Sequence, residues 1–327
     1  MSPELTRLRE RARLLATLRS ELGSRGFLEV ETPALVCSPG VDRYIDAPQA
    51  TVRGPAGPLR RYLITSPEYH MKRLLADGAG PIYQLGKVWR DGEVGELHRP
   101  EFTLLELYRP GSDHLELMKE VEGLVRSAAL HLLQHAVVER RGRRCDLDQP
   151  FARTTVRDAF RRWAGVDLAH AGTEELRASA SALGLAPPPN ASRETLYHLL
   201  MGLAIEPQLG QERGEFLHDY PADQCALARV RPDPVFPVAE RFELYLLGIE
   251  LCNGFHELTD AVEQRRRIEF ENQARIALGK EPYPVDEEFL AALARMPAAA
   301  GVALGIDRLA LLLFGWASLV IESHAGG

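Results

Sequence analysis

At 327 residues, with 45% hydrophobic and 26% charged residues, the chain carries enough apolar material for one large core or two smaller ones and reads as an ordinary globular protein. Its formal net charge of -7, with Lys and Arg spread along the sequence, argues against a general phosphate-backbone footprint, so any nucleic acid would have to be held locally. Cys37, Cys145, Cys225 and Cys252 lie far apart with no CxxC pair and no Cys/His cluster at zinc spacing, which argues against a disulfide framework or a zinc site and fits reduced thiols.

The first residues are charged throughout and lack the apolar centre of a signal peptide, and the longest apolar run, Leu309 to Ile321, is too short to span a bilayer. A cytoplasmic location is expected, with no membrane partner. Leu5, Leu8, Ala12, Leu15, Leu18 and Leu22 recur at three- and four-residue spacing, predicting an amphipathic helix to about Gly23 with five arginines on its other face. "RGFLEVETPALV" then predicts a short strand that stops at Thr32-Pro33, because proline cannot donate to a ladder. "VRGPAGPLRR" reads as a hairpin loop, and "RYLITSPEYHMKRLLADG" as a strand running into a helix capped by Ser66 with Pro67 in its first position.

Two strands follow, "PIYQLGKVWR" and "EFTLLELYRP", joined by the polar loop "DGEVGELHRP". Helical stretches are predicted over 113 to 135 and 153 to 185 with the basic turn "ERRGRRC" between them, then a linker over 186 to 192 and a helix in "TLYHLLMGLAIEPQLG". The last third predicts a strand pair in "ERFELYLLGIELCNGFHEL", a charged helix from Asp260 to Gly279, a short helix near 286 to 295, and a buried helix in "GVALGIDRLALLLFG". Strands joined by hairpins with helices between them predict an α+β fold built on an antiparallel sheet flanked by helices.

Three places carry candidate chemistry. On the strand "EFTLLELYRP", alternation puts Phe102, Leu104, Glu106 and Tyr108 on one face and Thr103, Leu105 and Leu107 on the other. Arg90 ends the preceding strand, and the loop brings Glu93, His98 and Arg99 near it; an arginine at a strand end can grip a phosphate and an aromatic face can stack on a purine, although hairpins with charged loops are common. Glu243, Glu250 and Glu257 form the second place. With the turn at Leu247-Gly248, Tyr245 opposes Glu250 and Glu243 is its diagonal neighbour, and Mg²⁺ would relieve their repulsion; a bulge at Gly254 would bring Glu257 to the same face, and a solvated face is the other reading. The third is Asp307-Arg308 at the start of the apolar helix, where Gly301 and Gly305 allow close backbone approach. There a ligand phosphate suits the free N–H groups and the arginine, unless the pair serves only as a helix start.

Taken in order, "RGFLEVETPALV", "VWRDGEVGELHRPEFTLLELYR" and "GVALGIDRLALLLFG" resemble the three signature motifs of class II aminoacyl-tRNA synthetases, the first of which forms a homodimer interface in that class. "HRPEFTLLELY", "TSPEYHMKRLL" and "GIELCNGFHELTDA" resemble the lysyl subgroup. The first motif begins near residue 25, which leaves no room for an anticodon-binding OB-fold before it, and Ala303 stands where lysyl enzymes have glycine. Both features resemble the elongation factor P--(R)-β-lysine ligase family, the truncated lysyl-synthetase paralogues.

The resemblance implies one catalytic domain over 1–327 with a helical insertion at about 111–200. It implies ATP and Mg²⁺ as cofactors, (R)-β-lysine or lysine as substrate, elongation factor P as the acceptor partner and a homodimer, with tRNA not expected. Arg90 would hold the α-phosphate, Arg308 the γ-phosphate, and Phe102 the adenine; His98 and Arg99 would close over the nucleotide, and Asp91, Gly92, Glu93, Leu251 and Gly305 complete its site. Glu243 and Glu250 would hold Mg²⁺. Ser66, Pro67, Glu68, Tyr108, Asn253, Glu257 and Ala303 would line the amino-acid pocket. Two positions depart from the lysyl pattern: Arg90 is followed by Asp91, Gly92 and Glu93 rather than by x-Glu, and Arg99 replaces an asparagine. The alternatives are a free-standing enzyme that charges tRNA and an inactive synthetase-like module.

Overall fold

The computed structural model describes residues 2–319. Val320 and Ile321 of the predicted apolar run, and most of "WASLVIESHAGG", lie outside the described residues. In chain order the elements are α1 (Pro3–Ser24), β1 (Leu28–Glu29), β2 (Leu35–Val36), β3 (Gln49–Gly54), β4 (Gly57–Leu63), α2 (Glu68–Ala76), β5 (Ile82–Trp89), β6 (Glu101–Pro110), α3 (His114–Leu133), β7 (Val137–Arg140), β8 (Arg143–Asp146) and β9 (Ala152–Thr155). They continue with α4 (Val156–Ala159), α5 (Thr173–Ala182), α6 (Arg193–Leu200), β10 (Glu215–Pro221), β11 (Val230–Arg231), β12 (Val238–Leu246), β13 (Ile249–His256), α7 (Ala261–Ala277), α8 (Glu287–Leu293), β14 (Ala299–Gly305) and α9 (Ile306–Phe314). The chain divides into two compact units, residues 1–113 with 257–327, and residues 114–256.

In the first unit the strands run in the order β1-β5-β6-β14. β5, β6 and β14 pair antiparallel, whereas β1 joins β5 in parallel. The alternation expected of β6 holds. Leu104, Glu106 and Tyr108 lie opposite Gly86, Gln84 and Ile82 on one side and Gly305, Ala303 and Gly301 on the other, so these residues share a face. α9 packs against β6 and α1 against α9. α1 buries Leu14, Leu18 and Leu22, while Leu5 and Leu8 of the expected stripe are exposed. Pro55 and Ala56 close the β3/β4 hairpin, so both strands run into the Gly/Pro-rich patch that reads as loop in sequence. α2 begins at Glu68 rather than Pro67, with Ser66 Oγ still accepting the Glu68 N–H at 3.1 Å.

In the second unit the order is β13-β12-β10-β9, with β11 beside β12. β10 pairs antiparallel with β12 but parallel with β9. Leu247 and Gly248, at φ 53° and 75°, form the expected turn between β12 and β13, since a two-residue hairpin of this hand needs positive φ at both positions.

Two expectations in this unit are corrected and a third is refined. Residues 153–185 are not one helix, because β9, α4, a wide turn at Phe160–Ala164 and α5 share the span and Gly165 at φ 67° ends the turn. "ERRGRRC" is a strand pair, β7 with β8, turning at Arg141 and Gly142, both at positive φ. The expected linker at 186–192 is a mostly exposed connection between α5 and α6 inside one unit, but not a free one: Ala191 is buried with Phe160, Leu176 and Leu196, and Arg177 donates to the Pro188 and Ala191 carbonyls. No helix of the described residues is long and apolar enough to cross a membrane. All four cysteines are free.

Candidate active site

The face of β6 that carries Glu106 and Tyr108 forms the floor of a carboxylate-rich recess in the first unit. Glu106 is 2% exposed and accepts from Ser66 Oγ at 2.7 Å and from the Tyr108 hydroxyl at 2.6 Å. Glu68, on the first turn of α2, lies one helical turn from Lys72, whose ammonium it holds. Lys72 is 1% exposed and reaches Glu257 Oε2 at 2.6 Å as an ion pair, yet neither Glu257 oxygen is met by a well-directed hydrogen bond. Glu68 and Glu257 therefore share one cation, and Glu106 is buried in the same recess on two hydroxyl donors. Burial first, then the Glu68 charge, pushes the Glu106 carboxyl up to about 7; burial also pushes Glu257 up, to about 8, against the pull of Lys72. Burial alone would lower Lys72, but Glu257 and Glu68 outweigh it and hold the ammonium charged.

Gly301 closes the recess from β14. A methyl group there would lie 2.3 Å from Tyr108 Cε1 and 2.4 Å from Glu257 Oε1, so bare backbone is what lets β14 approach both side chains. Ala303, opposite Glu106, packs beside Phe102 and Leu104. Pro67 is buried at the start of α2.

Further along the same strand, Arg90 lies over the Phe102 ring with its guanidinium carbon 5.1 Å from the ring centre, and its Nη1 is 3.7 Å from Glu93. Its buried Nε has no hydrogen-bond partner, a donor suited to an anion. Asp91 and Gly92 are exposed; the Asp91 N–H donates to the Asp46 carbonyl, and Gly92 turns the loop at φ 76°. Gly305 precedes α9, whose first turn carries Asp307 and Arg308. Pairing of β14 with β6 ends at Leu104, and Asp307 accepts the next N–H, that of Thr103, at 2.7 Å while Arg11 of α1 pairs with its other oxygen. Asp307 thus anchors the helix start. Arg308 Nη2 meets His98 Nε2 at 2.7 Å, and since arginine can only donate, the imidazole accepts as the neutral form. Partial burial and the Arg308 charge hold His98 below its usual range. Arg99 donates to the Leu319 carbonyl at 3.2 Å.

In the second unit, Tyr245 opposes Glu250 as the sequence predicts, but the register shifts at Leu251, which is left over as a bulge. Asn253 consequently stands opposite Glu243, and the bulge lies at Leu251 rather than at Gly254. Glu243 is 7% exposed, and both its oxygens are engaged, by Arg241 Nη2 and by the Tyr245 hydroxyl, at 2.6 Å each. Arg241 already supplies the cation that the sequence assigns to Mg²⁺ beside Glu243. As hard oxygen donors Glu243 and Glu250 suit Mg²⁺ in kind, and at Glu243 an ion would share the lone pairs that Arg241 and Tyr245 already use.

Sequence reasoning misses Lys72, the recess around Glu106 and the Arg11–Asp307 anchor, whereas the close backbone approach expected at Gly301 is found beside Tyr108 and Glu257. The signal for Lys72 is its place four residues after Glu68 on a short helix, which in sequence looks like an ordinary surface pair. That for Glu106 is its place between Leu104 and Tyr108 on a strand that is apolar on both faces.

Residues 4–320 match the family model described as tRNA synthetases class II (D, K and N). Curated relatives named "Elongation factor P--(R)-beta-lysine ligase" include one from Proteus mirabilis, 41% identical over 96% of this chain and 93% of the relative. Others are from Vibrio vulnificus, at 42% over 95% and 92%, and Erwinia tasmaniensis, at 43% over the same shares.

Proposed function

Because this chain belongs to the class II tRNA synthetase family of the D, K and N group, we propose that it is an ATP-dependent ligase that activates (R)-β-lysine or lysine as an adenylate and transfers it to a lysine side chain of elongation factor P. One observation carries the choice of amino acid: Glu68 and Glu257 pair with the same Lys72, Glu106 is buried in the same recess on neutral hydroxyl donors, and the Glu257 oxygens lack directed donors. A substrate with two ammonium groups would add cations beside these carboxylates to the one that Lys72 supplies.

In this reading the amino-acid carboxylate attacks the α-phosphorus of ATP in line, the α–β phosphoanhydride bond breaks, and pyrophosphate leaves. The acceptor amine then attacks the acyl carbon, AMP leaves and an amide forms. No side chain of the protein becomes acylated, so the work is positioning and charge stabilisation. Arg90 meets the α-phosphate with its unpaired Nε, Phe102 takes the adenine ring, and Arg308 with neutral His98 holds the distal phosphates. Asp91, Gly92, Glu93, Arg99 and Gly305 border the nucleotide. Ser66, Pro67, Tyr108 and Ala303 shape the amino-acid end. Within the second unit, Glu243 and Glu250 keep the Mg²⁺-holding role, Leu251 the nucleotide and Asn253 the substrate. Bound Mg²⁺ would neutralise phosphate charge. A cytoplasmic homodimer belongs to the same proposal.

The test is pyrophosphate exchange with α- or β-lysine, followed by intact mass of elongation factor P and acid-stable label on bulk tRNA. Mass added to the factor, greater with β-lysine, supports the reading. Label on tRNA alone, or no adenylate with either amino acid, overturns it. Ala303→Gly tests the finer choice: if the Ala303 methyl narrows the pocket, its removal shifts the α/β preference toward α-lysine, by about 1–3 kcal/mol in discrimination.

A further inference from the structure

A metal site assembled from separate elements has no spacing signature in sequence, and the second unit holds residues of that kind which the ligase reaction does not use. His114 opens α3, and His218 and Asp219 are consecutive in β10. On a regular strand two successive side chains point to opposite faces. Here the register against β12 slips between His218 and Tyr220 and Asp219 takes φ 55°, so both side chains reach the same neighbourhood.

Asp219 divides its carboxylate. Oδ2 accepts from Arg231 at 2.8 Å, while Oδ1 makes a long hydrogen bond with His114 Nε2 at 3.4 Å and lies 3.6 Å from His218 Nδ1. Those separations are long for N–H···O bonds. They match the edge of a tetrahedron around an ion with bonds of about 2.1 Å, which is about 3.4 Å. His218 Nδ1 has no hydrogen-bond partner, and neither has Nδ1 of His114, an imidazole 2% exposed. The three ligand atoms lie within 4.8 Å of one another.

We propose that His114, His218 and Asp219 form a site for a zinc-class transition-metal dication. Two imidazole nitrogens and one carboxylate oxygen suit Zn²⁺ or Co²⁺ rather than Mg²⁺ or Ca²⁺. Arg231 is the orienting partner: its hold on Oδ2 turns Oδ1 toward the imidazoles, as the outer partners of ligating carboxylates do. Glu240 and His256 are also near His114, but they already hold each other at 2.6 Å, and Arg229 and Arg231 face Glu240 at 3.9 and 3.5 Å. They balance charge beside the ion. A filled site would tie the start of α3 to β10.

The full-length protein, treated with chelator and returned to saturating Mg²⁺ so that hard-oxygen sites are filled, is titrated with Co²⁺ and then Zn²⁺. The expected result is one equivalent of Co²⁺ with the visible bands of a tetrahedral nitrogen-oxygen site, displaced by Zn²⁺, and a higher melting temperature with either ion. His218→Ala and Asp219→Asn each weaken Zn²⁺ binding about 100-fold or more. Asparagine tolerates the positive φ, so the second variant reports on the site even if the first is destabilised. Cys37→Ser, removing the exposed thiol, leaves binding unchanged. Absence of the Co²⁺ bands, unchanged affinity in both site variants, or loss of binding in Cys37→Ser overturns the proposal.

Discussion

Two buried glutamates, one in each unit, stand in opposite conditions. Glu243 has a donor on each oxygen, Arg241 on one and the Tyr245 hydroxyl on the other. Glu257, more deeply buried, faces a lysine that it shares with Glu68 and lacks a well-directed donor on either oxygen. A buried carboxylate with a donor on each oxygen is held by the protein's own side chains, and an ion at Glu243 would have to share those oxygens. One left short of donors carries a desolvation cost, which raises the Glu257 carboxyl to about 8 and which a cation brought by a ligand would relieve.

The largest way to break the comparison is Glu257→Gln. Losing the charge that meets a substrate ammonium lowers amino-acid-dependent pyrophosphate exchange by about 10²-fold or more, with the ATP KM little changed. Glu243→Gln affects stability first, costing about 1–3 kcal/mol in denaturant unfolding, because Arg241 loses its countercharge and an amide keeps only one of the two oxygens that accept from Arg241 and Tyr245. If both variants behave alike, the comparison fails.

Next is Lys72→Ala, which leaves Glu68 and Glu257 buried without their cation and costs about 3–5 kcal/mol of unfolding free energy. Lys72→Arg restores the charge but not the fit, and recovers part of that loss. Gly301→Ala costs about 1–3 kcal/mol through overpacking against Tyr108 and Glu257, and weakens amino-acid binding at the same time.

The smallest effect is the dependence on pH. A carboxyl whose folded pKa is raised contributes stability that is full below its unfolded value and is lost as pH rises through the folded one. Glu106 and Glu257, pushed up to about 7 and about 8 from an ordinary 4.5, make the ligand-free protein less stable across that window as pH increases. Ionised carboxylates are what a diammonium substrate needs, so its KM falls over the same range and binding releases protons. Calorimetry in two buffers of different ionisation enthalpy reads that release, and Glu257→Gln reduces it.

Much of this frame is legible in the residues. The alternation in "EFTLLELYRP" places Glu106 and Tyr108 on one face, and "LLGIE" sets the β12/β13 turn and the Tyr245–Glu250 pair. Asp307 and Arg308 announce the start of a buried helix, although the pair divides its work in a way the spacing does not reveal: Asp307 holds Thr103 and Arg11, and Arg308 meets His98. The bulge at Leu251 is a choice between two registers of similar side-chain fit, settled by tertiary packing. Residues 186–192 look like a linker because proline and asparagine are read locally, whereas Arg177 satisfies their carbonyls from a distance in sequence. Lys72 stays hidden because a helical pair four residues apart is common on surfaces, and only the fold shows that this one is sealed in.

Gly301 limits how the recess can change over generations. A residue without a side chain has nothing left to delete, so every substitution there subtracts room beside Tyr108 and Glu257. Ala303, two residues along, can lose a methyl or gain bulk. Any change at the first position therefore runs one way, toward a smaller recess, and room can be gained only by trimming other side chains around it.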